Sequence, residues 1–121
     1  MKKIYYNKLI RDRIPQAIEE SNGSYETKEL SNNNFKKELL KKVGEEASAL
    51  PALKNKAEIM KELADVIDVI EEIKKEFNIT EKEIKIARQK AFNKKGGFSK
   101  KLFLYWSEDT GYRTNEKRYQ K

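Results

Sequence analysis

Between residues 58 and 77 apolar side chains recur at steps of four and three: Ile59, Leu63, Val66, Ile70, Ile73 and Phe77. At 3.6 residues per turn these positions form one face of a helix. Glu58, Glu62 and Asp65 recur at the same steps, about 100° around the helix, and Val69 and Glu72 continue their line. An acidic line bordering an apolar stripe marks the edge of a core. Carboxylates held there are half desolvated and close together, which is unfavourable unless positive charge lies between them. A divalent cation is the natural candidate. Surface helices also carry glutamates as a plain solvated face, so the pattern alone leaves both readings open.

The same period predicts three further helices. Asp12 caps a short one, with Pro15 in its first turn, Ile14 and Ile18 on its apolar face, and Asn22 and Gly23 at its end. A second runs over about residues 33–50, opened by the polar residues 31–34 and closed by Pro51. Its stripe is Phe35, Leu39, Val43, Ala47 and Leu50, and Glu46 falls inside that stripe. A carboxylate there is rarely left unpaired. Gly44 is unfavourable in mid-helix and either admits a close approach or is merely tolerated. Asn55 with Glu58 predicts a capping box for the organising helix, and Asn78 its stop. Thr80 with Glu83 opens a last helix to about residue 94, faced by Ile84, Ala87 and Ala91. Residues 24–30 suggest a weak strand or an extended linker, and residues 101–106 an extended aromatic segment. The fold class expected is therefore all-α, with four main helices and a short extended C-terminal segment. A domain over residues 1–106 and a polar tail over 107–121 complete the organisation.

Composition narrows the chemistry. The 121 residues contain no cysteine and no histidine. This excludes thiolate chemistry, a Ser-His triad and His-ligated zinc within the chain. No apolar run approaches the length of a membrane span and no signal-peptide pattern opens the chain, so a soluble cytoplasmic protein with no membrane partner is expected. The net charge of +7 is uneven, with 12 acidic and 8 basic residues between Glu38 and Glu83. An acidic middle between basic ends suits a cation and a polyanion held together. It also suits non-specific nucleic-acid binding, although no recognised nucleic-acid motif accompanies the charge.

Glu46 on one helix and Glu62 with Asp65 on the next converge if the two helices pack antiparallel across the short connection at 51–55. Such an all-oxygen site favours Mg²⁺ or Mn²⁺, with phosphate oxygens as further ligands. The chemistry implied is metal-assisted hydrolysis of a phosphoanhydride. The glycines Gly96 and Gly97, flanked by Lys94, Lys95, Lys100 and Lys101, suit phosphate oxygens as well, though Gly-Gly is more often just a turn.

Three segments in order carry a resemblance. Residues 7–15, NKLIRDRIP, resemble an N-terminal signature of small MazG-like proteins. Glu45 and Glu46, followed by Glu62 and Asp65, resemble the E-E-x-x-E and E-x-x-D metal motif of the all-α nucleoside triphosphate pyrophosphohydrolases. Lys90 through Lys95, Gly96, Gly97 and Phe98 resemble a K-x-x-x-R-G-G-F segment. The resemblance implies a MazG-like helical bundle that forms a homodimer or higher homo-oligomer. It implies Mg²⁺ held by Glu46, Glu62 and Asp65, and substrate phosphates met by Lys8, Arg11, Lys90 and Lys95. The reaction implied converts a nucleoside triphosphate, or a related nucleotide, to the monophosphate and pyrophosphate. Two positions depart from the pattern. Ala49 stands where the motif has its third glutamate, and Lys95 where it has arginine. The loss at Ala49 keeps a second reading open, a nucleotide-binding or regulatory member of the same fold without turnover. A basic nucleic-acid binder is a third; nucleic acid is not the expected partner.

Overall fold

The computed structural model describes residues 2–111. Four α-helices follow one another: α1 (Ile14–Glu20), α2 (Asn32–Ser48), α3 (Lys56–Glu76) and α4 (Glu81–Lys95), with a 3₁₀ turn (Leu50–Ala52) after α2. No strand occurs among the described residues, so the chain is all-α there. It divides into two units, residues 1–85 and 86–121, and α4 runs across the division. The expected polar tail lies mostly at residues 112–121, outside the described residues.

Local chemistry sets most of the helix ends. The Ser31 hydroxyl accepts from the Asn34 N–H at 3.2 Å and starts α2. Asn55 Oδ1 accepts from the Glu58 N–H at 2.9 Å and starts α3. The Glu58 carboxylate reaches back to the Lys54 N–H at 3.2 Å, one residue beyond the usual capping-box target. The Thr80–Glu83 box is reciprocal. Glu83 N–H donates to Thr80 Oγ1 at 3.1 Å, and Thr80 N–H donates to Glu83 Oε1 at 2.9 Å. That backbone bond holds the Glu83 carboxyl below its usual range.

Two helices end in the same way. Asn22 and Asn78 adopt left-handed backbone, at φ 63° and 55°. The next N–H in each case donates back five residues, from Gly23 to the Ile18 carbonyl at 2.9 Å and from Ile79 to the Lys74 carbonyl at 2.8 Å. Gly23 is required by closeness rather than by φ, since a Cβ there would stand 2.9 Å from Ile18 Cγ2.

Three expectations are corrected or narrowed. Arg13, not Asp12, occupies the cap of α1, without a side-chain bond, while Pro15 sits in the first turn. Of the two readings of residues 24–30, the strand is absent and the linker, without helix or strand, remains. Pro51 enters a 3₁₀ turn, so α2 stops at Ser48, before the expected residue 50.

In the first unit α2 and α3 pack side by side as an antiparallel hairpin. Lys36, near the start of α2, lies 5.5 Å over the ring of Phe77 just beyond α3, while Glu46 near the end of α2 meets the first half of α3. The α2 stripe packs as expected, with Leu39 buried and Phe35, Val43 and Ala47 half-buried. α3 is turned from expectation. Its half-buried side runs along the border line, Glu62, Asp65, Val69 and Glu72, together with Val66 and Ile73 from the stripe. Ile59, Leu63, Ile70 and Phe77 stay about two-fifths exposed, and Met60 and Ile67 more so. Lys74, buried on the far half of α3, pairs with Glu71 at 3.0 Å and with Glu81 at the start of α4.

In the second unit every described residue from 86 to 111 is exposed. Residues 96–111 contain neither helix nor strand, and Phe103 meets Tyr105 edge-on at 5.2 Å.

Gly44 lies inside α2 with no atom within 4 Å of where a Cβ would be. The close-approach role is therefore absent and tolerance remains. Gly44→Ala is expected to stabilise the chain by about 1 kcal/mol, the helix-propensity difference, read as a higher urea midpoint at unchanged slope.

Candidate metal centre

The antiparallel hairpin brings Glu46 of α2 to Glu62 and Asp65 of α3. One carboxylate oxygen from each lies within 4.8 Å of the others. Glu62 and Asp65 are three residues apart on one helix face, and Glu46 enters from the apolar stripe of the facing helix. All three side chains are half-buried. Among the described residues no other carboxylate joins the group.

Three carboxylates at this separation repel one another, and the chain supplies charge against them. Lys42 Nζ lies 3.3 Å from Glu46 Oε1, one turn back on α2, with both side chains mostly covered. Arg11 Nη2 donates to Asp65 Oδ1 at 3.0 Å and to Asp68 Oδ2 at 2.9 Å, so one nitrogen bridges two carboxylates. These bonds, first that to Asp68, hold the guanidinium more firmly charged. Glu62 has no such cation close by. A hydrogen bond shared with Glu46 pushes its pKa up from the ordinary value, with desolvation and the charges of Glu46 and Asp65 adding and Lys61 opposing.

The donor set is all oxygen, delivered by two helices from three separate side chains, and so fits a hard divalent cation such as Mg²⁺ or Mn²⁺. The nearby carboxylates that could stand in for one at position 49 are otherwise engaged or exposed. Glu58 caps α3, Asp68 holds Arg11, and Glu45 is exposed. Ala49 stands exposed at the end of α2, one turn beyond Glu46.

The expected phosphate contacts separate. Arg11 belongs to the surroundings of the cluster. Lys8 lies three residues earlier in the same segment, exposed, 5.5 Å over the ring of Tyr6. Lys90 and Lys95 lie exposed on α4, within the second unit. Lys42 was not anticipated as part of the site, nor was Asp68 as a partner of Arg11. The spacing of Lys42 and Glu46 announces their pair, whereas nothing local announces Asp68 as a partner of a residue 57 positions away.

The raised pKa of Glu62 has a defined consequence. The folded chain holds this proton more tightly than the unfolded chain, so Glu62 costs nothing below the ordinary value of 4.5. It destabilises increasingly as pH rises from there through the raised folded value. In metal-free buffer Glu62→Gln is therefore expected to melt above the unchanged chain at neutral pH. The difference should shrink to nothing on acidification below 4.5. Thermal melts of the two chains across pH check this. No family model, no curated protein and no solved structure matches the chain.

Proposed function

We propose that the chain is a Mg²⁺-dependent nucleotide pyrophosphohydrolase of the MazG-like kind, which converts a nucleoside triphosphate or a related nucleotide to the monophosphate and pyrophosphate. One observation carries the reading. The two acidic positions of the resemblance, Glu46 on α2 and the Glu62–Asp65 pair on α3, converge with oxygens within 4.8 Å. An acidic solvated face would have no reason to bring Glu46 across from an apolar stripe.

In this reading Glu46, Glu62 and Asp65 would hold the cation. Bound there, it would draw charge from the phosphoryl oxygens and acidify a water. Lys8 and Arg11, in the cationic segment before α1, meet the phosphates. Water adds at phosphorus, one P–O bond of the anhydride breaks, and the products leave as monophosphate and pyrophosphate with release of a proton.

A second reading rests on Ala49. The resemblance places a fourth ligand there, and the position offers only a methyl group. A chain that binds nucleotide without turning it over would keep everything else described. Pyrophosphate release across a panel of nucleoside triphosphates, with and without Mg²⁺, separates the two. Turnover is expected only with Mg²⁺, with a loss of about a hundredfold or more in Glu62→Ala and Asp65→Ala. Full activity in both variants would remove these residues from the metal site. Nucleotide binding without product, restored to turnover by Ala49→Glu, would establish the second reading.

The proposal includes a homodimer or larger homo-oligomer. Ile59, Leu63, Ile67 and Ile70 form an exposed apolar row on α3, beside the face that packs on α2. Rows of this length are generally covered by a partner. Joining two hairpins through these rows would complete a four-helix bundle, the arrangement the resemblance implies. Sedimentation is expected to give a dimer or larger species, and Leu63→Glu to shift it toward monomer. A monomer at micromolar concentration in the unchanged chain would overturn this part.

A further inference from the structure

Arg11 stands between two roles. The resemblance assigns it to substrate phosphates, yet its side chain is spent on Asp65 and Asp68. Asp65 belongs to the carboxylate cluster and Asp68 does not. We infer that Arg11 is a displaceable counter-ion of the carboxylate site: it neutralises Asp65 while no cation is bound, and it is released toward the polyphosphate when a divalent cation takes Asp65. This inference rests on the metal-centre reading above and adds to it a positioning residue with two states.

Three observations carry it. The first is the weakness of the bridge. The Arg11 side chain is 60% exposed and those of Asp65 and Asp68 34% and 59%. Ion pairs so exposed contribute little, so an ion held by three carboxylates outcompetes this one. The second is the way the backbone is held. The Arg11 carbonyl accepts from the Ile14 N–H at 3.2 Å, at the start of α1. The main chain is thus anchored, and the long side chain can exchange partners while its Cα stays in place. The third is Asp68, one turn beyond Asp65 on α3. It keeps the guanidinium within reach of the site after Asp65 is surrendered. A guanidinium donates to phosphate oxygens as it does to carboxylate oxygens, so the exchange replaces one charge-assisted hydrogen bond by another.

Repulsion between Arg11 and a bound cation gives the inference its sign. A unit charge about 6 Å from a divalent ion, in a solvated setting, shifts its affinity by about three- to tenfold. A guanidinium that merely pins the N-terminal segment to α3 would act the other way, because its loss would loosen Asp65.

The test is a pair of titrations on the full-length chain, with Mn²⁺ followed by the loss of its free-ion resonance signal and with inorganic tripolyphosphate followed by calorimetry in saturating Mn²⁺. Arg11→Ala is expected to bind Mn²⁺ about three- to tenfold more tightly than the unchanged chain and tripolyphosphate about tenfold more weakly. Arg11→Lys keeps the charge and loses the fork. Its Mn²⁺ affinity is expected to stay near that of the unchanged chain, and its tripolyphosphate affinity to fall part of the way. Mn²⁺ affinity that is unchanged or lower in Arg11→Ala, in a variant whose melting curve shows it folded, would overturn the displaceable counter-ion and leave the metal centre standing. Absence of Mn²⁺ binding in the unchanged chain, no different from Glu62→Ala, would overturn the metal centre and this inference with it.

Discussion

The constraint on which the rest depends is the electrostatic cost of packing Glu46 against Glu62 and Asp65. Two helices that meet through carboxylates rather than through leucines lose part of the stabilisation a hairpin usually gains. The chain offsets this in three different ways at three different residues. Lys42 covers Glu46 from within its own helix, Arg11 reaches Asp65 from the N-terminal segment, and the Glu62 carboxyl answers with a raised pKa. Each device is incomplete. Lys42 lies beyond short hydrogen-bond distance, Arg11 is largely solvated, and a raised pKa offsets nothing once pH has risen through it. A hairpin designed for stability alone would place apolar side chains at all three positions, as the neighbouring Leu39 and Val66 show is possible in this same layer.

The same cost explains the rotation of α3. Had its apolar stripe faced α2, Glu62 and Asp65 would have been left in solvent and Glu46 would have met apolar side chains with Lys42 as its counter-charge. Turning α3 brings the acidic border inward and leaves Ile59, Leu63 and Ile70 partly uncovered. Among the described residues of the first unit, Leu39 is the apolar side chain that is buried, at 3% exposure. One buried leucine is a slender core for a unit of this size. The exposed row on α3 is therefore the counterpart of the acidic layer: the unit forgoes apolar burial inside the hairpin and leaves Ile59, Leu63 and Ile70 partly exposed.

How far the sequence foretold this follows from the range of each interaction. Asn55 with Glu58 and Thr80 with Glu83 are separated by three residues, so their caps were legible, as was Asn78 as a helix stop. Glu46 was legible as an intruder in an apolar stripe, and its partners followed from the short connection between helices. The Arg11 bridge joins residues 54 and 57 positions apart and leaves no periodic trace. The rotation of α3 was hidden for a related reason. Periodicity locates a stripe, whereas the choice between a stripe and its border is made by the partner helix, through Glu46. Asp12 misled because it is a good cap residue one position too early, while Pro15 admits a start at Ile14 with either neighbour before it.

Ala49 then takes on a different weight. A fourth carboxylate at that position would sit one turn past Glu46, at an exposed helix end. Asp68 sits one turn past Asp65 on the facing helix, and it carries the negative charge that Ala49 lacks. With all four ionised, Glu46, Glu62, Asp65 and Asp68 oppose Lys42 and Arg11 and leave two negative charges, which is the charge of one divalent cation. A glutamate at position 49 would raise that surplus to three and strengthen the pull on any cation, the polar segment around Arg11 included. The charge of the site is thus preserved while its geometry is altered. A charge acts through distance and a ligand through position, so a site rearranged in this way keeps its attraction for a cation more fully than its hold on the ion's orientation. Under the proposed function catalysis would depend on that orientation more steeply than binding does, so turnover, rather than affinity, is the property on which Ala49 would bear.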